Sequence, residues 1–117
     1  MNEHLEGDGV PAPGELIVET ATNDTAVTIS LAGELDIGSA QNLQQQLTAA
    51  QASGAGKVVV DLTGLQFIDS TGIRVLLSAA RRANDAGHEL LVRNPQAQVL
   101  RLFELAGIVE LLSVGRD

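Results

Sequence analysis

The sequence predicts a single α/β domain in which an open mixed β-sheet carries its helices mainly on one face. Two patterns indicate the strands: Val27, Ile29 and Leu31 alternate with polar residues, whereas the run from Val58 to Val60 is uninterrupted and β-branched. Between and after these strands, apolar residues recur at helical spacing. A chain of 117 residues has room for one core. The predicted order is β-β-α-β-α-β-α, followed by a short last strand or turn.

The first third of the chain predicts a hairpin followed by a helix. A strand at Leu16 to Val18 is separated from the strand at Val27 to Leu31 by Ala21 to Thr25, whose Asn-Asp pair favours a turn. The segment Gly33-Glu34-Leu35-Asp36 is expected to break the second strand, and Ser39 to act as the N-cap of the first helix. The apolar side of that helix is formed by Ala40, Leu43, Leu47 and Ala50.

The rest of the chain predicts parallel strands joined by helices. After the central strand, a helix is expected from Ile73 to Ala86, then a strand from His88 to Arg93. Asn94-Pro95 has the cap and first-turn proline that begin a third helix, and Ile108 to Val114 is a short strand or turn. The second helix is expected to turn Ile73, Leu76, Leu77, Ala80 and Ala83 inward. Its outward residues are expected to be Arg74, Ser78, Arg81, Arg82 and Asp85.

The composition along the chain predicts two segments, one flexible and one folded. Residues 1–14 are rich in glycine, proline and acidic residues, which predicts a flexible N-terminal segment, and residues 15–114 form the folded domain. The first fourteen residues lack the basic start and apolar run of a secretion signal, and no stretch reaches the length of a membrane helix. We therefore expect a cytoplasmic protein that is not inserted in a membrane.

Charge and composition exclude several classes of function. Seven basic and fifteen acidic residues give a net charge of −8, which repels nucleic acids, so direct nucleic-acid binding is not expected. There is no cysteine, so thiolate zinc sites and cysteine nucleophiles are absent. Asp36, Asp61 and Asp69 could gather at one sheet edge, but without a histidine they make a weak metal site. We predict neither a metal nor a cofactor.

The junction Asp69-Ser70-Thr71-Gly72 joins the central strand to the second helix and allows two interpretations. Asp and Ser are good N-caps, and a glycine suits a tight turn, so the motif could be structural. Alternatively, two adjacent hydroxyls stand where a helix N-terminus favours negative charge, and the preceding Phe67-Ile68 is expected to anchor the loop. A serine in this position is suited to accept a phosphoryl group. Taken alone, the motif favours the structural interpretation.

An activated serine nucleophile is disfavoured, because it needs a nearby base. The two histidines are His4, in the N-terminal segment, and His88, near the sheet edge opposite Ser70. The Gly-x-Ser-x-Gly pattern of serine hydrolases is absent. The segment Gly54-Ala55-Gly56-Lys57 does not match a phosphate-binding loop, because it lacks the first glycine and the final Ser or Thr and precedes a strand.

Three segments together resemble the anti-sigma factor antagonist family, whose fold is the STAS domain. These are Gly33-Glu34-Leu35-Asp36, the stretch from Val59-Val60-Asp61-Leu62 through Phe67-Ile68-Asp69-Ser70-Thr71-Gly72, and the stretch from Leu102 to Ile108. The resemblance covers about Glu15 to Val114. It implies that the serine after the aspartate, Ser70, is phosphorylated by an anti-sigma factor that is also an ATP-dependent serine kinase.

The resemblance further implies partner switching. The unphosphorylated protein would bind the anti-sigma kinase and free a sigma factor, phosphorylation would release the protein, and a phosphoserine phosphatase would reset it. Asp36 matches a family aspartate important for phosphorylation and partner binding. The residues expected to contact the partner are Asp36, Asp69, Ser70, Thr71, Gly72, Arg74, Ser78 and Arg81.

Two alternatives remain. A small STAS protein can be the accessory subunit of a lipid-transport ABC complex, without a phosphorylation cycle. The remote alternative is a serine hydrolase that uses Ser70 as its nucleophile.

Overall fold

The computed structural model describes residues 10–117, so most of the segment expected to be flexible, residues 1–9, lies outside the described part. Within the described part, the predicted order of strands and helices is confirmed. The elements are β1 (Leu16–Thr22), β2 (Ala26–Leu35), α1 (Ala40–Ala52), β3 (Lys57–Ile68), α2 (Ser70–Ala86), β4 (Glu89–Arg93), α3 (Ala97–Ala106) and β5 (Val114–Gly115).

The five strands lie in one sheet in the order of the chain. β1 is antiparallel to β2, and β2, β3, β4 and β5 are parallel to one another. The hairpin turn is held by the side chain of Asn23, whose Oδ1 accepts hydrogen bonds from the N–H groups of Thr25 and Ala26, each at 2.9 Å. The predicted mixed sheet and its antiparallel hairpin are therefore confirmed.

The sheet has one well-covered face. In β2, Val27, Ile29 and Leu31 are buried while Thr28 and Ser30 between them are partly exposed. β3 and β4 show the same alternation over their first five residues. Because successive side chains of a strand point to opposite faces, this alternation matches helices packed mainly on one face.

β2 and β3 are longer than the sequence pattern predicts. The predicted break at Gly33 is wrong, because β2 continues to Leu35. Gly33 has a φ of 105° and lies where the register with β3 shifts, and a Cβ there would collide with the backbone oxygen of Glu15. The glycine thus permits an irregularity within a strand and does not end it.

The start of α3 also differs from the prediction. The helix begins at Ala97 and not at Asn94-Pro95, with Gln96 in the N-cap position. Asn94 has a φ of 60°, and its N–H donates to the carbonyl oxygen of Gly115 at 2.8 Å. Asn94 therefore links β4 to β5 and is not available as a cap.

The buried stripe of α2 is rotated from the predicted one. Leu76 and Ala83 are buried as expected, but Ile73, Leu77 and Ala80 are only partly buried. The buried positions are Gly72, Val75, Leu76, Ala79 and Ala83.

Arg82 of α2, which was expected to point outward, is partly buried against α1. Its Nε donates to Oε1 of Gln51 and its Nη1 donates to Oγ of Ser78, both at 3.1 Å. Gln51 in turn donates to the carbonyl oxygen of Ala79 at 2.8 Å. The arginine therefore links the two helices of the covered face.

Candidate functional site

The carboxyl ends of β2 and β3 bring two aspartates to one edge of the sheet. The two strands are parallel and pair Leu35 with Ile68 at their ends. Asp36 and Asp69 are the residues that directly follow the two strands. The N–H of Asp69 donates to the carbonyl oxygen of Leu35 at 3.1 Å. Ligands and chemistry commonly lie at this edge of an open α/β sheet.

Asp69 is the N-cap of α2. It has an extended backbone conformation, and its Oδ1 accepts a hydrogen bond from the N–H of Gly72 at 3.0 Å. The helix therefore begins at Ser70, three residues earlier than predicted. The oxygen that caps the helix is therefore Oδ1 of Asp69 and not the hydroxyl of Ser70.

Ser70 is exposed at the first helical position. Within the described part of the chain its hydroxyl makes no hydrogen bond. Thr71, the second hydroxyl, is partly buried. Of the two hydroxyls, that of Ser70 is the more accessible to another protein.

Replacing Asp69 with Ala is expected to destabilise the protein by about 1 kcal/mol, because the N–H of Gly72 loses its acceptor. Asp69→Asn is the matched control, since an asparagine oxygen accepts the same hydrogen bond. Urea unfolding of the three proteins tests this expectation. Equal losses in both variants would show that the cap is not what Asp69 contributes.

Asp36 is held by the turn that leads into α1. Its Oδ1 accepts from the N–H of Gly38 at 2.9 Å, and its carbonyl oxygen accepts from the N–H groups of Ser39 and Ala40. Ser39 occupies the N-cap position, as predicted, but its hydroxyl caps no helical N–H and instead donates to the carbonyl oxygen of Glu34 at 3.1 Å. The partly exposed carboxylate of Asp36 is thereby fixed beside the start of α2.

Gly72 lies beneath the surface, where α2 approaches the ends of the two strands. A Cβ at this position would be 2.6 Å from Cγ of Leu35 and 2.9 Å from Cγ1 of Ile68. Ile68 is buried, whereas Phe67, also expected to anchor the loop, is 46% exposed. The anchor of the loop is therefore the contact of Ile68 and Leu35 with Gly72.

A groove of about 460 Å³ runs between α1 and α2 next to Ser70. It contains three of the residues expected to bind a partner, Thr71, Arg74 and Ser78. Its other wall comes from the α1 side. The residues there are Ile37, Ala40, Gln41 and Gln44.

The rim of the groove carries Ile37, which the sequence pattern does not single out. Its side chain is 79% exposed on the rim of the groove, directly after Asp36. In the sequence, the one indication that Ile37 is exposed is that it lies outside the helical pattern of apolar residues in α1. Single exposed apolar side chains are common on protein surfaces, so Ile37 matters here only as part of the groove.

Arg81, Asp61 and His88 lie apart from this site. Arg81 and His88 line a second cavity near the carboxyl end of α2, a helix of 17 residues that spans about 25 Å. Asp61 is inside β3, paired with Ser30 and Arg93. It therefore does not join Asp36 and Asp69, and the three carboxylates do not gather at one edge.

The sequence profile described as "Mlab, STAS domain" matches residues 18–113. The chain belongs to the STAS domain family. A curated relative of this STAS domain is the anti-sigma-B factor antagonist of Staphylococcus aureus (strain NCTC 8325 / PS 47), which is 29% identical over 100 residues. The alignment covers 86% of this chain and 93% of the relative.

Two solved structures share the fold of this STAS domain. An anti-sigma factor antagonist from Mycobacterium paratuberculosis superimposes with a TM-score of 0.76 at 23% identity, over 90% of this chain and 89% of that one. The Bacillus cell fate determinant SpoIIAA in its phosphorylated form gives 0.70 at 18% identity, over 86% and 91%. At these identities the likeness concerns the fold, and it confirms the predicted α/β architecture.

Between residues 10 and 117, the STAS domain has no helix that combines the length and the apolar character needed to cross a membrane.

Proposed function

We propose that this STAS domain is an anti-sigma factor antagonist that works by partner switching. Unphosphorylated, it binds an anti-sigma factor that is also an ATP-dependent serine kinase, and the sigma factor is released. Phosphorylation of Ser70 ends this binding, and a phosphoserine phosphatase restores it. The protein acts in the cytoplasm as a regulator of transcription and not as an enzyme.

The observation that carries the proposal is the exposed Ser70 hydroxyl. Asp69 supplies the helix cap, so phosphorylation of Ser70 removes no hydrogen bond that the helix needs. The relatedness to anti-sigma-B factor antagonists supports the same function. The motif is therefore suited to change charge without unfolding the domain that carries it.

The kinase step transfers the γ-phosphoryl group of ATP to Ser70. A bond forms between Oγ and the γ-phosphorus, the bond from that phosphorus to the β–γ bridging oxygen breaks, and ADP leaves. The hydroxyl proton passes to a base of the kinase. Among the described residues no histidine lies near Ser70, because His88 follows the far end of α2.

One added phosphate is sufficient for a switch. It brings about −1.5 to −2 charges at pH 7 to a chain that already carries −8. The helix N-terminus tolerates this charge, whereas an interface over Ser70 would have to desolvate it. A cost of several kcal/mol at the interface corresponds to a loss of affinity of about a hundredfold or more.

Mass spectrometry after incubation with ATP and the ATPase-type anti-sigma proteins of the same genome tests the proposal. We expect one phosphate, mapped to Ser70, with one of these kinases. A phosphate mapped to Thr71 would move the acceptor by one residue. Copurification with the subunits of a lipid-transport ABC complex, without any phosphate, would favour the accessory-subunit alternative.

The hydrolase alternative makes a separate prediction. A serine-directed covalent probe should leave Ser70 unlabelled, because no histidine lies near it in the described chain to activate the hydroxyl. Labelling at Ser70 would contradict the proposal that this serine is a passive phosphate acceptor.

A further inference from the structure

Arg74 lies one helical turn after Ser70 on the same exposed side of α2. Residues four apart on a helix are surface neighbours, with Cβ atoms about 6 Å apart. Both side chains are exposed. From Ser70 to Ala80, Arg74 is the one basic residue of the helix, and the next is Arg81. A group added to Ser70 therefore has a single helical cation within reach.

The guanidinium of Arg74 is uncommitted among residues 10–117, where it makes no hydrogen bond or ion pair. It contributes to the wall of the groove between α1 and α2, beside Thr71 and Ser78. By contrast, Arg82 is held by Gln51 and Ser78. Arg74 thus lies between the proposed phosphorylation site and the groove, free to turn toward either.

We propose that Arg74 is the positioning residue for the phosphoryl group of phosphorylated Ser70, and that pairing with this group draws its side chain from the groove wall. The inference rests on the proposed phosphorylation of Ser70. Phosphorylation then changes the surface in two ways, because it adds charge at Ser70 and alters the groove next to it.

The chemistry of the two groups suits this pairing. A guanidinium donates two parallel N–H bonds to phosphate oxygens, and these charge-assisted bonds are stronger than neutral ones. An acidic group four residues before a basic one is also the favourable order on a helix. Among residues 10–117, the carboxylates of Asp36 and Asp69 follow the two strand ends beside Ser70, and Glu34 lies two residues before Asp36. All three oppose the second negative charge of the phosphate.

The test uses protein with phosphoserine inserted at position 70 during translation, so that no kinase is needed. Titration of the phosphate by ³¹P NMR at 0.15 M salt compares the unsubstituted chain with Arg74→Gln. We expect the substitution to move the titration midpoint up by about half a pH unit, because the dianion loses its cationic neighbour. Arg74→Lys keeps the charge and should retain most of the original midpoint.

Arg81→Gln is the matched control. It removes the same charge from the same helix, but at a point about 16 Å along the helix from Ser70, which exceeds the Debye length of about 8 Å at this salt concentration. Its midpoint should equal that of the unsubstituted chain. An unchanged midpoint in Arg74→Gln, or an equal rise in Arg81→Gln, would overturn the inference.

The groove has its own readout in the same samples. The NMR chemical shifts of the side-chain amides of Gln41 and Gln44, on the opposite wall, should change on phosphorylation. In the Arg74→Gln protein the same chemical shifts should change much less. Equal movement in both proteins would show that Arg74 does not transmit the change. Because the phosphate is encoded, these results remain distinct from any failure to find a kinase for Ser70.

Discussion

Ser70→Glu is expected to weaken binding to the cognate anti-sigma kinase about tenfold or more, whereas Ser70→Ala should bind as tightly as the unsubstituted chain and resist phosphorylation. The reason is electrostatic. Ser70 is exposed and its hydroxyl supports no hydrogen bond of the described structure, so its removal costs the fold little. A carboxylate at the same place must lose its water when the partner covers it, and each 1.4 kcal/mol of that cost is tenfold in affinity. Isothermal titration calorimetry with the kinase measures both variants.

The matched control for the added charge is Thr25→Glu. Thr25 is exposed in the hairpin turn at the opposite end of β2, which spans about 30 Å. The Thr25→Glu substitution changes the net charge by the same amount and should leave the affinity for the kinase unchanged. If Ser70→Glu and Thr25→Glu weakened binding equally, the effect would belong to total charge and not to the site.

Gly72→Ala is expected to lower the free energy of unfolding by about 1–3 kcal/mol, because the new methyl group would overlap buried side chains. The contacts are Cγ of Leu35 at 2.6 Å and Cγ1 of Ile68 at 2.9 Å. Both side chains are buried, so neither can move into solvent. Alanine is about 1 kcal/mol better than glycine inside a helix, which offsets part of the cost. Thermal unfolding should show a Tm lower by roughly 5–15 °C.

Gly56→Ala is the control for this substitution. Gly56 lies in the turn before β3, and a Cβ there would meet nothing within 4 Å. Its Tm should stay within a few degrees of the unsubstituted value. A Gly72→Ala protein with an unchanged Tm would show that the start of α2 can move away from the strand ends at no cost.

Much of the fold follows from local patterns. The alternation in β2, the β-branched start of β3 and the helical spacing in α1 each depend on residues close in the chain, and each predicted element was found. The ends of the elements were less predictable. Gly33 lies within a strand, where β1 and the segment before it closely approach its backbone. Asn94 lies outside α3, because its N–H donates to the carbonyl oxygen of Gly115 in β5. Both outcomes depend on contacts distant in sequence.

The candidate site was also predictable only in part. The Asp69-Ser70 pair could be located from its motif, since a helix cap involves neighbouring residues. The exposed Ile37 and the groove could not, because the groove exists only when α1 and α2 pack together. Arg74 and Arg81 read alike in the sequence, but the structure places Arg74 beside the groove and Arg81 at a cavity near the other end of the helix.

The central claim is that a phosphate on Ser70 decides whether the partner binds. The most direct measurement is the affinity of the anti-sigma kinase for two samples of the same chain, one unmodified and one with phosphoserine encoded at position 70. We predict that the unmodified chain binds at least about 100-fold more tightly, because several kcal/mol are lost when the dianion is covered. Equal affinities for the two samples would contradict the account.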